Sequence, residues 1–145
     1  MKVLHSPIEI AGQIGTLCRA LRRVGHLASG YNFFSTYLGY KDYLMNTDMF
    51  EMSGMFEHAS QFFDLFHYHY GLSIFPQFRD IELLHELGKP MVMHHWGNDV
   101  RFESIAKRHN RYVNTEDSPE EEKIDQALQT LSRYISDAIV QDYEV

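Results

Sequence analysis

The stretch RDIELLHELGKPMVMHHWGNDVR, residues 79–101, changes its periodicity halfway along. Its first part sets Ile81, Leu84 and Leu87 at helical spacing, with Asp80 placed to cap the helix and Gly88 to close it. Its second part, PMVMHHW at 90–96, is a short apolar run that reads as a strand broken at Gly97. A helix handing over directly to a buried strand is the repeating unit of an α/β fold.

The same alternation runs outward from this unit. KVLHSP (2–7) reads as a first strand stopped by Pro7. GQIGTLCRALRRVG (12–25) follows as a helix with Ile14, Leu17, Cys18, Leu21 and Val24 on one face and Gly25 at its end. HLASGYNF (26–33) is a second strand, and FDLFHYHYG (63–71) is another that ends at Gly71. EDSPEEEK (116–123) has the chemistry of a helix start: Ser118 as cap, Pro119 at the first position, then three glutamates facing the positive end of the helix dipole. That helix continues through Ile124, Leu128, Leu131 and Ile135, and DAIVQD (137–142) is a final strand. Residues 31–62, dense in Tyr, Phe and Met, read as irregular with a helix near 54–62.

Strands alternating with helices imply a parallel sheet covered on both faces. Right-handed crossovers make it a Rossmann-like, doubly wound α/β fold, in which ligands bind beyond the carboxyl ends of the strands. Three of those ends carry polar groups: Ser6 and Glu9, then His67 and His69, then His94 to Arg101. Their convergence on one rim predicts a site.

At 145 residues, 44% of them hydrophobic, the chain fits one ordered domain. A formal net charge of −7, with no long basic run, argues against nucleic acid as a partner. The single cysteine, Cys18, cannot form an internal disulfide, which fits a reducing compartment. The N-terminus is too polar for a signal-peptide core, and no run approaches ~18 apolar residues. A cytoplasmic protein is expected.

Each motif has a functional and a structural reading. Gly12 and Gln13 open a helix whose backbone N–H groups suit a phosphate, although the turn lacks the dinucleotide spacing and is also an ordinary strand-to-helix connection. In HYH, His67 and His69 share one strand face, as metal ligands do and as hydrogen-bonded strand-end histidines do. A barrel metallohydrolase would need about 250 residues, so the metal reading is set aside. In HHWGNDVR, His94 and His95 point to opposite faces, and Gly97 lets the chain turn so that Asn98 and Asp99 can cap a following helix. Buried packing of the histidines is the structural alternative. The basic run KRHNR (107–111), with Arg101, offers cations to an anionic acceptor or a lipid headgroup, or is a solvated helix face.

The ordered set VLHSPIEIAGQ…LCRALRRVGH, FDLFHYHYG, LLHELGKPMVMHHWGNDVR and ISDAIVQD resembles the N-terminal domain of GT-B glycosyltransferases of the retaining "group 1 / family four" class. The resemblance covers nearly the whole chain. It implies two Rossmann-like domains facing across a cleft, with a nucleotide-sugar donor held mainly by the C-terminal domain and the acceptor mainly by the N-terminal one. Carried over residue by residue, Gly12 and Gln13 would lie near the donor phosphates, and His67, His69 and Gly71 at the cleft. Gly97 and Asp99 match a later strand of the family that closes on H-G-x-D, and Arg101 matches an occasional arginine there. Where members often carry histidine before that glycine, this chain has Trp96, so His94, or His95 after a local twist, would substitute. The resemblance implies no protein nucleophile, no cofactor and no obligatory metal.

The family's Glu-x7-Glu pair for the donor is missing, since no two glutamates stand eight apart. The chain is therefore expected to be a fragment lacking the donor-binding domain, inactive alone and prone to self-association through residues 31–62. A stand-alone Rossmann-like nucleotide- or sugar-binding module is one alternative. A small metal-dependent hydrolase using His67, His69 and His94 is the other.

Overall fold

The computed structural model describes residues 1–34 and 37–140. Six strands form one sheet: β1 (Lys2–Ser6), β2 (Leu27–Asn32), β3 (Leu44–Asn46), β4 (Leu65–His69), β5 (Met91–His95) and β6 (Asp137–Val140). Their order is β3-β2-β1-β4-β5-β6, and every pair is parallel. Five helices connect them: α1 (Gln13–Arg23), α2 (Met49–Phe62), α3 (Arg79–Glu86), α4 (Glu103–His109) and α5 (Glu121–Tyr134).

Period-two alternation along β1 divides the core. Val3 faces Ile14 and Cys18 of α1, together with Ala28. Leu4 points the other way, into a larger cluster with Phe66, Tyr68 and Met93 of the sheet. That cluster receives Met52 and Phe56 of α2, Ile81 and Leu84 of α3, and Leu131 of α5. Each fully buried aliphatic side chain there contributes about 1.5–3 kcal/mol. Helices thus cover both faces of a parallel sheet, and the fold is the Rossmann-like, doubly wound one that the alternation predicts. The strand order reverses between β1 and β4, which makes their carboxyl ends the switch-point crevice of such a sheet.

Several boundaries differ from the sequence reading. Within residues 31–62 lies the short strand β3, and α2 begins at Met49 because the Asp48 carboxylate accepts hydrogen bonds from the N–H groups of Phe50 (2.8 Å) and Glu51 (2.9 Å). Asp80 does not cap α3. It lies inside the helix, fully buried, and accepts from Ile74 N–H, Phe75 N–H and the Tyr68 hydroxyl at 2.6 Å. Those bonds hold the chain where Gln77 and Phe78 adopt left-handed backbone (φ 59° and 60°), so a distant tie replaces a local cap.

Ser118 is no cap either, since α5 starts at Glu121 and the buried Ser118 Oγ has no partner. Glu121 instead accepts from the backbone N–H (2.5 Å) and hydroxyl (3.0 Å) of Ser104, tying α5 to α4. β6 is exposed throughout, and residues 141 and 142 of the expected final strand lie outside the described residues.

Among the described residues no helix is long and apolar enough to cross a membrane. A groove of about 1170 Å³ lies against β2, β3 and α2 and is lined by Tyr31, Met45, Met55 and Phe62 among others. It is away from the carboxyl ends of β1, β4 and β5, where the titratable groups collect. Phe50, 88% exposed, adds to the apolar surface of the segment expected to self-associate.

Candidate functional site: histidines on two faces of one rim

Strand register assembles the site. His5 on β1 stands opposite His67 on β4, and His69 stands opposite His94 on β5. All four side chains share one sheet face by alternation. Ring centroids are 4.7 Å apart for His5 and His67, 4.6 Å for His67 and His69, and 5.5 Å for His67 and His94. Trp96 stacks on His94 at 4.4 Å. His5 and His69 are fully buried, and His67 and His94 nearly so.

The tautomers follow from Trp96. Its indole N–H can only donate, and it meets His69 Nδ1 at 3.3 Å. His69 therefore carries its proton on Nε2 and donates to His5 Nδ1 at 3.1 Å. His5 is then protonated on Nε2, which is buried without a partner. His67 Nε2 and both nitrogens of His94 are buried without partners too. Burial first, then the neighbouring imidazoles, lowers His5 to about 3 and His67 to about 4. The same causes push His69 further down, while His94 is lowered by burial and by His95. The cluster is a set of neutral imidazoles at neutral pH. The donor atoms of His5, His67 and His69 all lie within 4.8 Å of one another, close enough to be drawn onto one metal ion.

His95 occupies the other face and a different chemistry. Its Nδ1 lies 2.8 Å from Asp99 Oδ2, and both side chains are buried. Asp99 Oδ1 accepts from the N–H groups of Trp96 (2.9 Å) and Gly97 (3.1 Å). Asp99 therefore closes the turn after β5 and does not cap a helix, because α4 begins at Glu103 after Phe102 with no side-chain cap. Asn98 accepts from Arg101 Nη1 at 2.7 Å and does not cap it either.

Gly97 adopts φ 122°, and a Cβ there would lie 3.1 Å from Arg101 Nη2, so glycine is required. Gly71, at φ 61°, packs against the Asp99 carboxylate, where a Cβ would stand 3.4 Å from Oδ2. His95, Arg101, Val100, Phe102 and Ile105 line an apolar pocket of about 410 Å³ between α4, α5 and β6.

Gly12 and Gln13 are filled from within. Gly12, at φ 79°, begins α1, but Glu9 turns back so that its carboxylate accepts from Ile14 N–H (3.3 Å) and Gly15 N–H (3.2 Å). Gln13 N–H is bonded to Ile10 O at 3.0 Å. Glu9 is 5% exposed, and burial raises its pKa while the helix N–H groups oppose that shift. The Gln13 N–H expected to meet a phosphate is thus taken by a backbone carbonyl, and the next two N–H groups of α1 meet a carboxyl group of the protein's own, which a phosphate would have to displace.

The structure brings His67, His69 and His94 together and adds His5, which the sequence reading passed over although it stands two residues after the inward-facing Val3. It gathers His95, Asp99, Gly71, Gly97 and Arg101 on the opposite side of β5, and leaves Gly12 and Gln13 apart under Glu9. Compared with known proteins, the chain matches no protein-family model, no curated protein and no solved structure.

Proposed function

We propose that this chain is the acceptor-side, N-terminal domain of a retaining GT-B glycosyltransferase, which transfers a sugar from a nucleotide-sugar donor. The observation that carries the reading is a coincidence of place. The strand ends within the first three of the four segments on which the resemblance rests are the carboxyl ends of β1, β4 and β5, around the β1/β4 crevice. In this reading the Asp99 carboxylate fixes the tautomer and orientation of His95, and the imidazole faces the sugar undergoing transfer. Cationic and backbone donors stabilise the leaving phosphate, and catalysis is positional and electrostatic. Donor phosphates are held by the second domain, in keeping with an α1 N-terminus already taken by Glu9. The same occupancy counts against the alternative of a free-standing nucleotide-binding module.

The test is sugar transfer by the product of the complete reading frame, assayed with UDP- and GDP-sugars. Transfer is expected there and not from these 145 residues alone. Asp99→Asn, which keeps an acceptor for the Trp96 and Gly97 N–H groups, is expected to lower turnover by ~10²-fold, about 2.7 kcal/mol on the barrier. A reading frame with no downstream Glu-x7-Glu, or an Asp99→Asn enzyme with unchanged turnover, would overturn the proposal.

A further inference from the structure

We propose that His5, His67 and His69 bind one divalent transition-metal ion of the imidazole-preferring kind, zinc or cobalt(II), with His94 beside them as the fourth ligand. The inference does not rest on the glycosyltransferase reading. Three observations carry it.

The first is the donor geometry. An H-x-H pair on one strand and a third histidine directly across on the next present three imidazoles to one point. His5 Nδ1 and His69 Nε2 are 3.1 Å apart, close to the roughly 3.3 Å between two nitrogens on one tetrahedral zinc at 2.0–2.1 Å bond lengths. The widest donor separation, within 4.8 Å, closes by rotating an imidazole about its soft second torsion.

The second is the unmet polar atoms. Among the described residues five buried side-chain nitrogen or oxygen atoms lack a partner, and four of them belong to His5, His67 and His94. Folded proteins leave few such atoms, and a bound ion would take up His67 Nε2 and one nitrogen of His94. The third is the donor type. No carboxylate or thiolate is in the set, which disfavours calcium and magnesium and suits metals that accept neutral imidazole.

Trp96 gives the site a built-in reporter. When His69 Nε2 offers its lone pair to a metal, the ring's proton must sit on Nδ1. The indole N–H then faces another donor and has to withdraw. Metal and Trp96 thus compete for His69, and the chain's one tryptophan reports the outcome.

The experiment titrates the chelator-stripped protein with cobalt(II) and zinc by calorimetry, while visible absorption and Trp96 fluorescence are followed. One equivalent is expected to bind, with a tetrahedral cobalt ligand-field band and quenching of Trp96 by cobalt. His67→Asn and His69→Asn should each weaken binding by at least about 100-fold. A double variant of the exposed His58 and His109 should bind as the wild type does. Trp96→Phe, which leaves all the ligands in place, should bind up to about tenfold more tightly because a competing hydrogen bond is gone. This last variant keeps the test sound if an asparagine variant fails to fold. Absence of one-to-one binding in the wild type, loss of binding in the surface variant, or weaker binding in Trp96→Phe would overturn the site.

Discussion

His94 and His95 are consecutive in the chain and nearly equally buried, yet they live in opposite chemistries. His95 has a carboxylate partner that also gathers two backbone N–H groups, so every polar atom identified there on Asp99 is used. His94 has imidazoles and an indole around it, and neither of its nitrogens has a partner. One peptide step across a strand separates a satisfied hydrogen-bond network from an unsatisfied nitrogen cluster. Burial alone therefore says little about what a histidine does. What matters is whether its nitrogens are already spoken for.

The sharpest way to break this contrast is to make one substitution at both positions. His95→Phe strands the buried Asp99 carboxylate and should cost about 3 kcal/mol or more in urea unfolding. His94→Phe removes two unpartnered nitrogens, keeps the stack on Trp96, and in metal-free protein should cost less than about 1 kcal/mol or even stabilise. Equal losses at the two positions would show that the faces do not differ.

A second test uses pH on chelator-treated protein. His5 at about 3 and His67 at about 4 lie below the ordinary 6.5, so the folded state binds fewer protons than the unfolded chain between these values. Stability from these groups is complete above about pH 6.5 and falls as pH drops toward 4. The urea midpoint should be clearly lower at pH 5 than at pH 7.5, and His67→Phe should flatten that dependence.

Glu9 extends the comparison to a third neighbourhood, where a carboxylate again supplies the partner. Glu9→Ala should cost about 1 kcal/mol by uncapping α1. It should also create binding of inorganic phosphate, seen as a raised melting temperature in phosphate that the wild type lacks. The smallest effect belongs to Ser118→Ala. Its hydroxyl makes no bond, so the change should stay within about 0.5 kcal/mol, which sets the baseline for the others.

Much of this fold was legible because its elements are long enough to show a period. The apolar face of α1, the strand runs ending in His69 and His95, and the switch to helix at Ile81 all carry local patterns, and the opposite facing of His94 and His95 needs only alternation. What was not legible depends on distance or brevity. β3 has three residues, too few for any period. His5 joins the site only through the register of β1 on β4, with its bonded partner His69 64 positions away. Asp80 looked like a cap because its nearest neighbours allow one, but its real partners include Tyr68, 12 positions earlier. Asp48 and Glu9 were readable in principle. Each is a carboxylate just ahead of a helix, obscured in one case by surrounding aromatics and in the other by the expectation of an external anion.

The strand order also has a consequence in time. β1 leaves the ribosome ahead of the other five strands of this sheet and lies inside it, between β2 and β4. One edge can pair once residues 27–32 exist, but the other must wait for residues 65–69, with Val3 and Leu4 short of their final neighbours until then. Closing that long loop comes before the contacts that reward it, which slows folding and prolongs exposure of an apolar edge. The strand that brings His67 and His69 to His5, β4, is also the one that ends this exposure, so three of the four histidines assemble in the same step that closes the middle of the sheet, and His94 joins with β5.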